Sequence, residues 1–274
     1  MASVEVLNRR PQPRLLQVIR TCDLSSGLRR ITLSGSQLRG FPEHRNGAHI
    51  KLFFPRIGQR QPVLPALTER GIVWPQNQLK AITRTYSVRR YCAQHNELDI
   101  DFVMHGHDSP AAGWAKRARP GDYLGVAGPG GPDPLLAPAD WHIIAGDMSA
   151  LPAISALLEQ LSMFARGYVF IEVDRAEHIQ PLHNNTGLQI HWVQRDGVHS
   201  MLEDVKHTVR PPRGAQSLSG FVAGENGLVR SMRDYLRETY RLTRKELYAV
   251  PYWCRGQDEE AYHQQRHEIM DQVY

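Results

Sequence analysis

The chain has 274 residues, and its 33 Lys and Arg against 28 Asp and Glu leave a formal net charge of +5, with 13 histidines besides; this length suits two domains of about 130 residues each. The basic residues are scattered and form no helix-turn-helix, zinc-finger or aromatic RNA-binding signature, which excludes nucleic acid as the expected partner and leaves an anionic small molecule. Without an apolar run of roughly 18 residues or a leader-like apolar core, neither membrane insertion nor export is expected; Cys22, Cys92 and Cys254 form no C-x-x-C pair, which argues against a disulfide framework, structural zinc or a cysteine-ligated cluster and places the chain in the cytoplasm.

Residues 15–22, 30–33 and 49–54 are β-rich runs, the first two separated by the turn-like Asp23-Leu24-Ser25-Ser26-Gly27 and the third stopped by Pro55. They predict an antiparallel meander. Residues 56–78, rich in Pro, Gly and Gln, predict a long loop or small flap in which only Gly71-Ile72-Val73-Trp74 looks extended. Strands resume at residues 83–91, 97–104 and 123–127, so six short strands with one helix predict a small closed antiparallel β-barrel.

Within residues 81–91 the alternation puts Arg84, Tyr86 and Val88 on one face and Thr85, Ser87 and Arg89 on the other. An aromatic ring, a guanidinium and a hydroxyl in such close order suit a planar, anionic ligand. The helix is expected to start at Ser109-Pro110-Ala111-Ala112-Gly113-Trp114-Ala115, with Asp108 or Ser109 as N-cap and Pro110 in the first position. Its free N–H groups and positive dipole end offer an anion site. His105 and His107 precede it, without a third ligand at suitable spacing, so no metal is predicted.

Arg84-Thr85-Tyr86-Ser87 resembles the Arg-x-Tyr-Ser/Thr signature of the ferredoxin-reductase-like flavoproteins. The segment His105-Gly106-x-Asp108-Ser109-Pro110-Ala111-Ala112-x-Trp114-Ala115 is similar to the His-Gly…Gly-Pro-Ala…Trp-Ala segment of the siderophore-interacting proteins, a branch of that superfamily. The resemblance implies FAD. Arg84, Ser87 and the helix start at Ser109 would hold its phosphates and Tyr86 would pack on its ring, with Thr85, His105, Gly106, Asp108, Ala111, Ala112 and Trp114 completing the site. Ser109 stands where the branch usually has Gly.

The Gly- and Pro-rich stretch from Gly121 to Pro132 ends the barrel, and Pro132, Pro134 and Pro138 stiffen the chain beyond it. Residues 1–137 are therefore read as an FAD-binding β-barrel domain and residues 138–274 as an NAD(P)H-binding-like α/β domain. In the family this turn commonly carries an arginine, where Gly130 or Gly131 stands here.

In the second half, strands at residues 141–146, 167–173, 188–193 and 219–223 alternate with polar or helical connections, the first leading into a helix that runs to about residue 164. This pattern predicts a parallel sheet with ligands at the carboxyl ends of its strands. The G-x-G-x-x-G fingerprint is absent. Gly146-Asp147-x-Ser149-Ala150-Leu151-Pro152-Ala153-Ile154 instead resembles the family's Gly-Asp-Glu-Thr-Ala-Leu-Pro-Ala-Ile, with Met148 and Ser149 in place of Glu and Thr. At the end of residues 167–173, Glu172 and Asp174 suit a ribose hydroxyl, whereas Arg175 suits a 2′-phosphate, so the choice between NADH and NADPH stays open.

Phe221-Val222-Ala223-Gly224-Glu225 matches the family's Val-Ala-Gly-Glu, and a helix is expected over residues 227–239. Pro251-Tyr252-Trp253-Cys254-Arg255-Gly256 follows the pattern Tyr-Trp-Arg-Arg-Gly with Cys254 for the first arginine, and Glu259-Glu260-Ala261-Tyr262-His263 is intact on a terminal helix expected from about residue 258. His263 and His267 lie on one helix face without the glutamate of a zinc-protease motif.

Matches running in order from Arg14 to His263 identify the chain as a member of the siderophore-interacting protein family. Membership implies a two-domain, ferredoxin-reductase-like fold and a cytoplasmic ferric-siderophore reductase with noncovalent FAD and NADPH or NADH as electron donor. The acceptor is a ferric siderophore, anionic and catecholate-like. Gly146, Asp147, Ser149, Ala150, Asp174, Arg175, Gly224 and Glu225 would face the nicotinamide nucleotide, and Lys51 and Arg255 would form a basic rim for the chelate. No acid or base residue, membrane insertion or obligate protein partner is indicated. Two other classes stay open: a general NAD(P)H–flavin reductase or diaphorase, and a non-enzymatic ferric-siderophore carrier.

Overall fold

A computed structural model describes residues 12–68, 71–75, 80–104, 109–197, 200–211, 214–215, 217–257 and 262. The chain divides into two units, Met1–Pro132 and Asp133–Tyr274.

The first unit is built on strict alternation. Its strands are β1 (Arg14–Ser25), β2 (Leu28–Ser34), β3 (His49–Phe54), β4 (Ala66–Thr68), β5 (Gly71–Val73), β6 (Ile82–Ser87), β7 (Arg90–Cys92), β8 (Glu97–Val103) and β9 (Tyr123–Gly130), with helix α1 (Pro110–Arg117) between the last two. In β8, Leu98, Ile100 and Phe102 are fully buried and join Leu16, Ile31, Leu52 and Phe54 in the core. The intervening Asp99 and Asp101 face the other way and are nonetheless buried. They persist there because they are paired: Arg30 holds both oxygens of Asp101 at 2.7 and 2.8 Å, and Asp99 takes the Thr32 hydroxyl at 2.7 Å and Arg90 at 3.2 Å.

Seven strands form this sheet, in the order β6-β3-β9-β1-β2-β8-β7, rather than a closed six-stranded barrel, and no ladder joins edge strands β6 and β7 among the described residues. The difference arises at Val88 and Arg89, in what the sequence presents as one strand over residues 83–91. Val88 donates to Ala48 beside β3, whereas Arg89 donates to Asp99 on β8, so the chain changes partner and one strand becomes two. The loop over residues 56–78 also contains the β4–β5 hairpin, where one extended stretch was expected. Leu64 lies over Gly125, and the Trp74 ring meets Phe53 at 5.6 Å, so this segment covers the outer side of β3.

In the second unit, β10 (Trp141–Asp147), β11 (Arg166–Val173), β12 (Gly187–Gln194), β13 (Leu218–Glu225) and β14 (Leu247–Trp253) form an all-parallel sheet in the order β12-β11-β10-β13-β14. Every residue of β10 is buried, as a central strand covered on both faces requires. Helices α2 (Leu151–Gln160), α3 (Met201–Thr208) and α4 (Asn226–Tyr240) make the connections, with α3 and α4 covering the face that presents Ile143, Ala145, Phe170 and Val222. Helix α2 ends at Gln160, short of the expected residue 164, because Leu161 turns extended and leaves Phe164 exposed. The strand order reverses between β10 and β13, and the crevice at their carboxyl ends is where open α/β sheets take ligands.

Candidate functional site

In the first unit, the register pairs Ile50 with Tyr86 and Leu52 with Arg84, so Tyr86 and Arg84 share the face of the core strand residues. The half-buried Tyr86 ring lies 4.5 Å from Phe102, Phe102 lies 5.9 Å from Trp114 of α1, and Trp114 meets Phe54 edge-on at 5.5 Å. This chain of rings fixes α1 against the tyrosine strand. Trp114 therefore packs inward, and the side chains of Ala111 and Ala112 are buried with it, leaving only their backbone to a ligand.

Ser109 caps α1, its hydroxyl accepting from the Ala112 N–H at 3.2 Å, while its carbonyl accepts from Gly113. Pro110 has no N–H, so Ala111 retains the one first-turn donor not used within the turn among the described residues. A capped helix start with an outward donor, on the same unit as Arg84 and the Tyr86 ring, fits a pyrophosphate joined to a planar ring. Arg84 donates to the Thr83 carbonyl at 2.8 Å, and Ser87 is buried. His105, Gly106, His107 and Asp108 lie outside the described residues.

Lys51 and Thr85 occupy the face opposite Tyr86, and the Lys51 ammonium donates to the Thr85 hydroxyl at 2.5 Å. The structure thus brings Lys51 together with Thr85 rather than with the tyrosine.

In the second unit, Asp147 is the organising residue. It is buried at 3% exposure, and its Oδ1 accepts from the Ser149 N–H at 2.8 Å and the Ser149 hydroxyl at 2.6 Å. Its Oδ2 accepts from the Glu225 N–H and the Trp253 indole, both at 2.8 Å. The carboxylate therefore ties together the ends of β10, β13 and β14 and the approach to α2. Gly224, at φ 135°, passes so close that a Cβ would sit 2.7 Å from that carboxylate. At Gly146 a Cβ would lie 2.6 Å from Ala150 Cβ, so the start of α2 rests on bare backbone.

Glu225 has a comparable task. Its carboxylate caps α4 by accepting from Gly227 at 2.6 Å and Leu228 at 3.2 Å, and it accepts from the Arg255 N–H at 3.4 Å. Gly146, Asp147, Ser149, Ala150, Gly224 and Glu225 thus meet at the crevice, but the two acids build it rather than project into it. Tyr262 is buried and donates to Asn226 at the start of α4. The other residues of the Glu259–His263 motif lie outside the described residues.

At the carboxyl end of β11, Asp174 and Arg175 are exposed. The residue the sequence reasoning missed is Arg195, just after β12. It donates to Glu172 at 2.8 Å through Nε and again through Nη2, and to Asp174 at 2.6 Å through Nη1. Burial lowers the affinity of this guanidinium for its proton, but the hydrogen bond and charges of Glu172 and Asp174 outweigh that and hold its pKa above the ordinary value. Its β-strand neighbours offered no signal, since the pairing depends on the register of β11 with β12. At the opposite end of the sheet, His142 is buried with Nδ1 2.9 Å from the Ser219 hydroxyl, and burial lowers its pKa. Among the described residues no group of three or more His, Cys, Asp and Glu is placed to hold a metal, and no helix is long and apolar enough to cross a membrane.

Residues 17–133 match the family described as "Siderophore-interacting FAD-binding domain", and residues 139–256 match "Siderophore-interacting protein". The chain is 49% identical over 267 residues to the ferric vibriobactin reductase ViuB of Vibrio cholerae, covering 97% of this chain and 98% of that protein. The NADPH-dependent ferric-chelate reductase of Escherichia coli is 41% identical over 154 residues, 56% of this chain and 58% of that one. Among solved structures, the siderophore-interacting protein SipS from Aeromonas hydrophila superposes with a TM-score of 0.81 at 38% identity, covering 95% of this chain and 99% of that chain. Matched along both units in sequence and in fold, the chain belongs to the siderophore-interacting protein family.

Proposed function

We propose that the chain is an FAD-dependent ferric-siderophore reductase of the cytoplasm, taking electrons from NADPH or NADH and delivering them to Fe(III) in an anionic, catecholate-like chelate so that Fe(II) is released. The observation that carries this reading is the ring chain Tyr86–Phe102–Trp114, which holds a Ser109-capped helix start beside the arginine and tyrosine of β6. The relatives named for ferric-chelate reduction support it over their aligned lengths.

Each part of the chain has a physical task in this reaction. Arg84, the Ser109 cap and the Ala111 N–H would hold the phosphates of FAD, and the Tyr86 ring, backed by Phe102, would cover its ring system. The chemistry supplied by bound FAD is the conversion of a two-electron donor into single-electron transfers, and reduced iron is held far less firmly by hard catecholate oxygens. The crevice organised by Asp147 would take the donor against the bare backbone of Gly146 and Gly224 at the ends of β10 and β13. Lys51, on the face of β3 opposite Tyr86, and Arg255, exposed on the second unit, would each add positive charge that draws an anionic chelate to its own unit. No side chain is required to move a proton.

The test is the visible spectrum of the purified protein, read first as isolated, then after anaerobic NADPH or NADH, then after ferric siderophore. A flavin absorbance that bleaches with donor and returns on iron addition is expected. Bleaching that ferric siderophore does not reverse would instead favour a general flavin reductase, and a colourless protein that fails to take up FAD would favour a carrier.

A further inference from the structure

The carboxyl end of β11 is closed by a cluster of two carboxylates and two arginines, Glu172, Asp174, Arg175 and Arg195. Two carboxylates, Glu172 and Asp174, stand where the second strand of a nucleotide-binding sheet meets the adenosine ribose. An uncommitted acid at this place accepts from the ribose 2′-hydroxyl and repels a 2′-phosphate. Here neither is uncommitted. Arg195 reaches across from the end of the neighbouring strand and engages both, Glu172 through two nitrogens and Asp174 through the third at 2.6 Å. The clamp is partly shielded, with the side chains of Arg195 and Glu172 at 28% and 12% exposure and that of Asp174 at 59%.

Arg175 comes next in the chain. It is exposed, has an extended backbone at φ −142°, and its guanidinium forms no ion pair among the described residues. The cluster therefore balances two carboxylates against two guanidiniums, and the one left to a ligand is positive.

We propose that Arg195 is the positioning residue that sets donor preference: by pairing with Glu172 and Asp174 it compensates the negative charge that would repel a 2′-phosphate and leaves Arg175 to receive one, so the site takes NADPH over NADH. This rests on the second unit being the one that binds the nicotinamide donor. Arg195 acts through its neighbours, and its loss reverses the sign of the cluster: in Arg195→Gln the freed carboxylates outnumber Arg175 and offer themselves to a ribose hydroxyl.

The experiment uses the full-length FAD-loaded protein and two probes, adenosine 2′,5′-bisphosphate and AMP, titrated by calorimetry, alongside the NADPH-to-NADH ratio of kcat/KM. The native chain is expected to bind the bisphosphate about tenfold more tightly than AMP, and Arg195→Gln to abolish that margin while leaving AMP binding in place, with the donor ratio falling about tenfold. Two further variants separate charge from structure. Asp174→Asn, at an exposed site, is expected to raise the NADPH preference a few-fold, and Glu172→Gln added to Arg195→Gln to restore part of it. An unchanged donor ratio in Arg195→Gln, or an equal loss for both probes with no rescue in the double variant, overturns the assignment. Failure of the native chain to bind either probe overturns the nucleotide reading of the second unit together with it, whereas equal binding of both probes by the native chain overturns this assignment alone.

Discussion

Edge strand β6 of the first unit and the crevice of the second handle polar side chains in opposite ways. On β6, Tyr86 is half-buried with one side on Phe102, and at the start of α1 the Ala111 N–H is not used within the turn, so a ring and a backbone donor stand on a packed wall. At the ends of β10 and β13, Asp147 and Glu225 commit their oxygens to seven donors between them, all belonging to the protein. The contrast teaches that acidic residues at the carboxyl ends of a parallel sheet can be committed to the protein's own donors. They shape the backbone around them, and a substitution there acts first on the fold.

The strongest way to break this comparison is Asp147→Asn. An amide has a donor where the carboxylate has an acceptor, so one pair of the four donors loses its partner, and about 3 kcal/mol of second-unit stability is expected to go. Chemical denaturation monitored by tryptophan emission checks it, with the FAD spectrum of the first unit expected to persist. Gly224→Ala is next at about 2 kcal/mol, since its new methyl meets the Asp147 carboxylate at a φ of 135°. The same denaturation experiment reads it, and a stability equal to the native chain's would mean the carboxylate is not held in place.

His142 sharpens the comparison through pH. Its folded-state pKa lies below the ordinary 6.5 because of burial, so as pH falls through 6.5 the unfolded chain takes a proton that the folded one refuses. Stability is therefore complete above that value and declines below it by at most about 1.4 kcal/mol per pH unit, until the folded-state pKa is reached. Measured unfolding free energies in His142→Gln should show a shallower slope over that window. Smallest is Ser109→Ala on the outward-facing side, expected to cost about 1 kcal/mol through the lost cap and to weaken FAD binding, as a titration of apoprotein with FAD would report.

How far the sequence can be read ahead of the structure depends on the range of each interaction. Strand β3, the Ser109 cap with Pro110 behind it and the alternation of strands and helices after residue 140 all depend on neighbours within a few positions, and the structure places them as the residues predict. The split of residues 83–91 into β6 and β7 was not legible, because it is decided by Ala48 and Asp99 competing for adjacent N–H groups. Nor was the role of Asp147 or Arg195. Gly146-Asp147 and Gly224-Glu225 were recognisable as motifs, but their hydrogen bonding to each other requires β10 and β13 to lie side by side, and Arg195 stands beside Glu172 only once β12 is in register.

The reach of the Asp147 hub also sets an order of assembly. Its donors from Glu225 and Trp253 are 78 and 106 residues further along the chain. By contrast, all seven strands of the first sheet have left the ribosome once β9 has emerged. Domains fold as units during synthesis, beginning from the N-terminus. A nascent chain therefore completes its first unit while the second still waits for its last strand, and the Asp147 hub closes only when Trp253 arrives with the last of its donors.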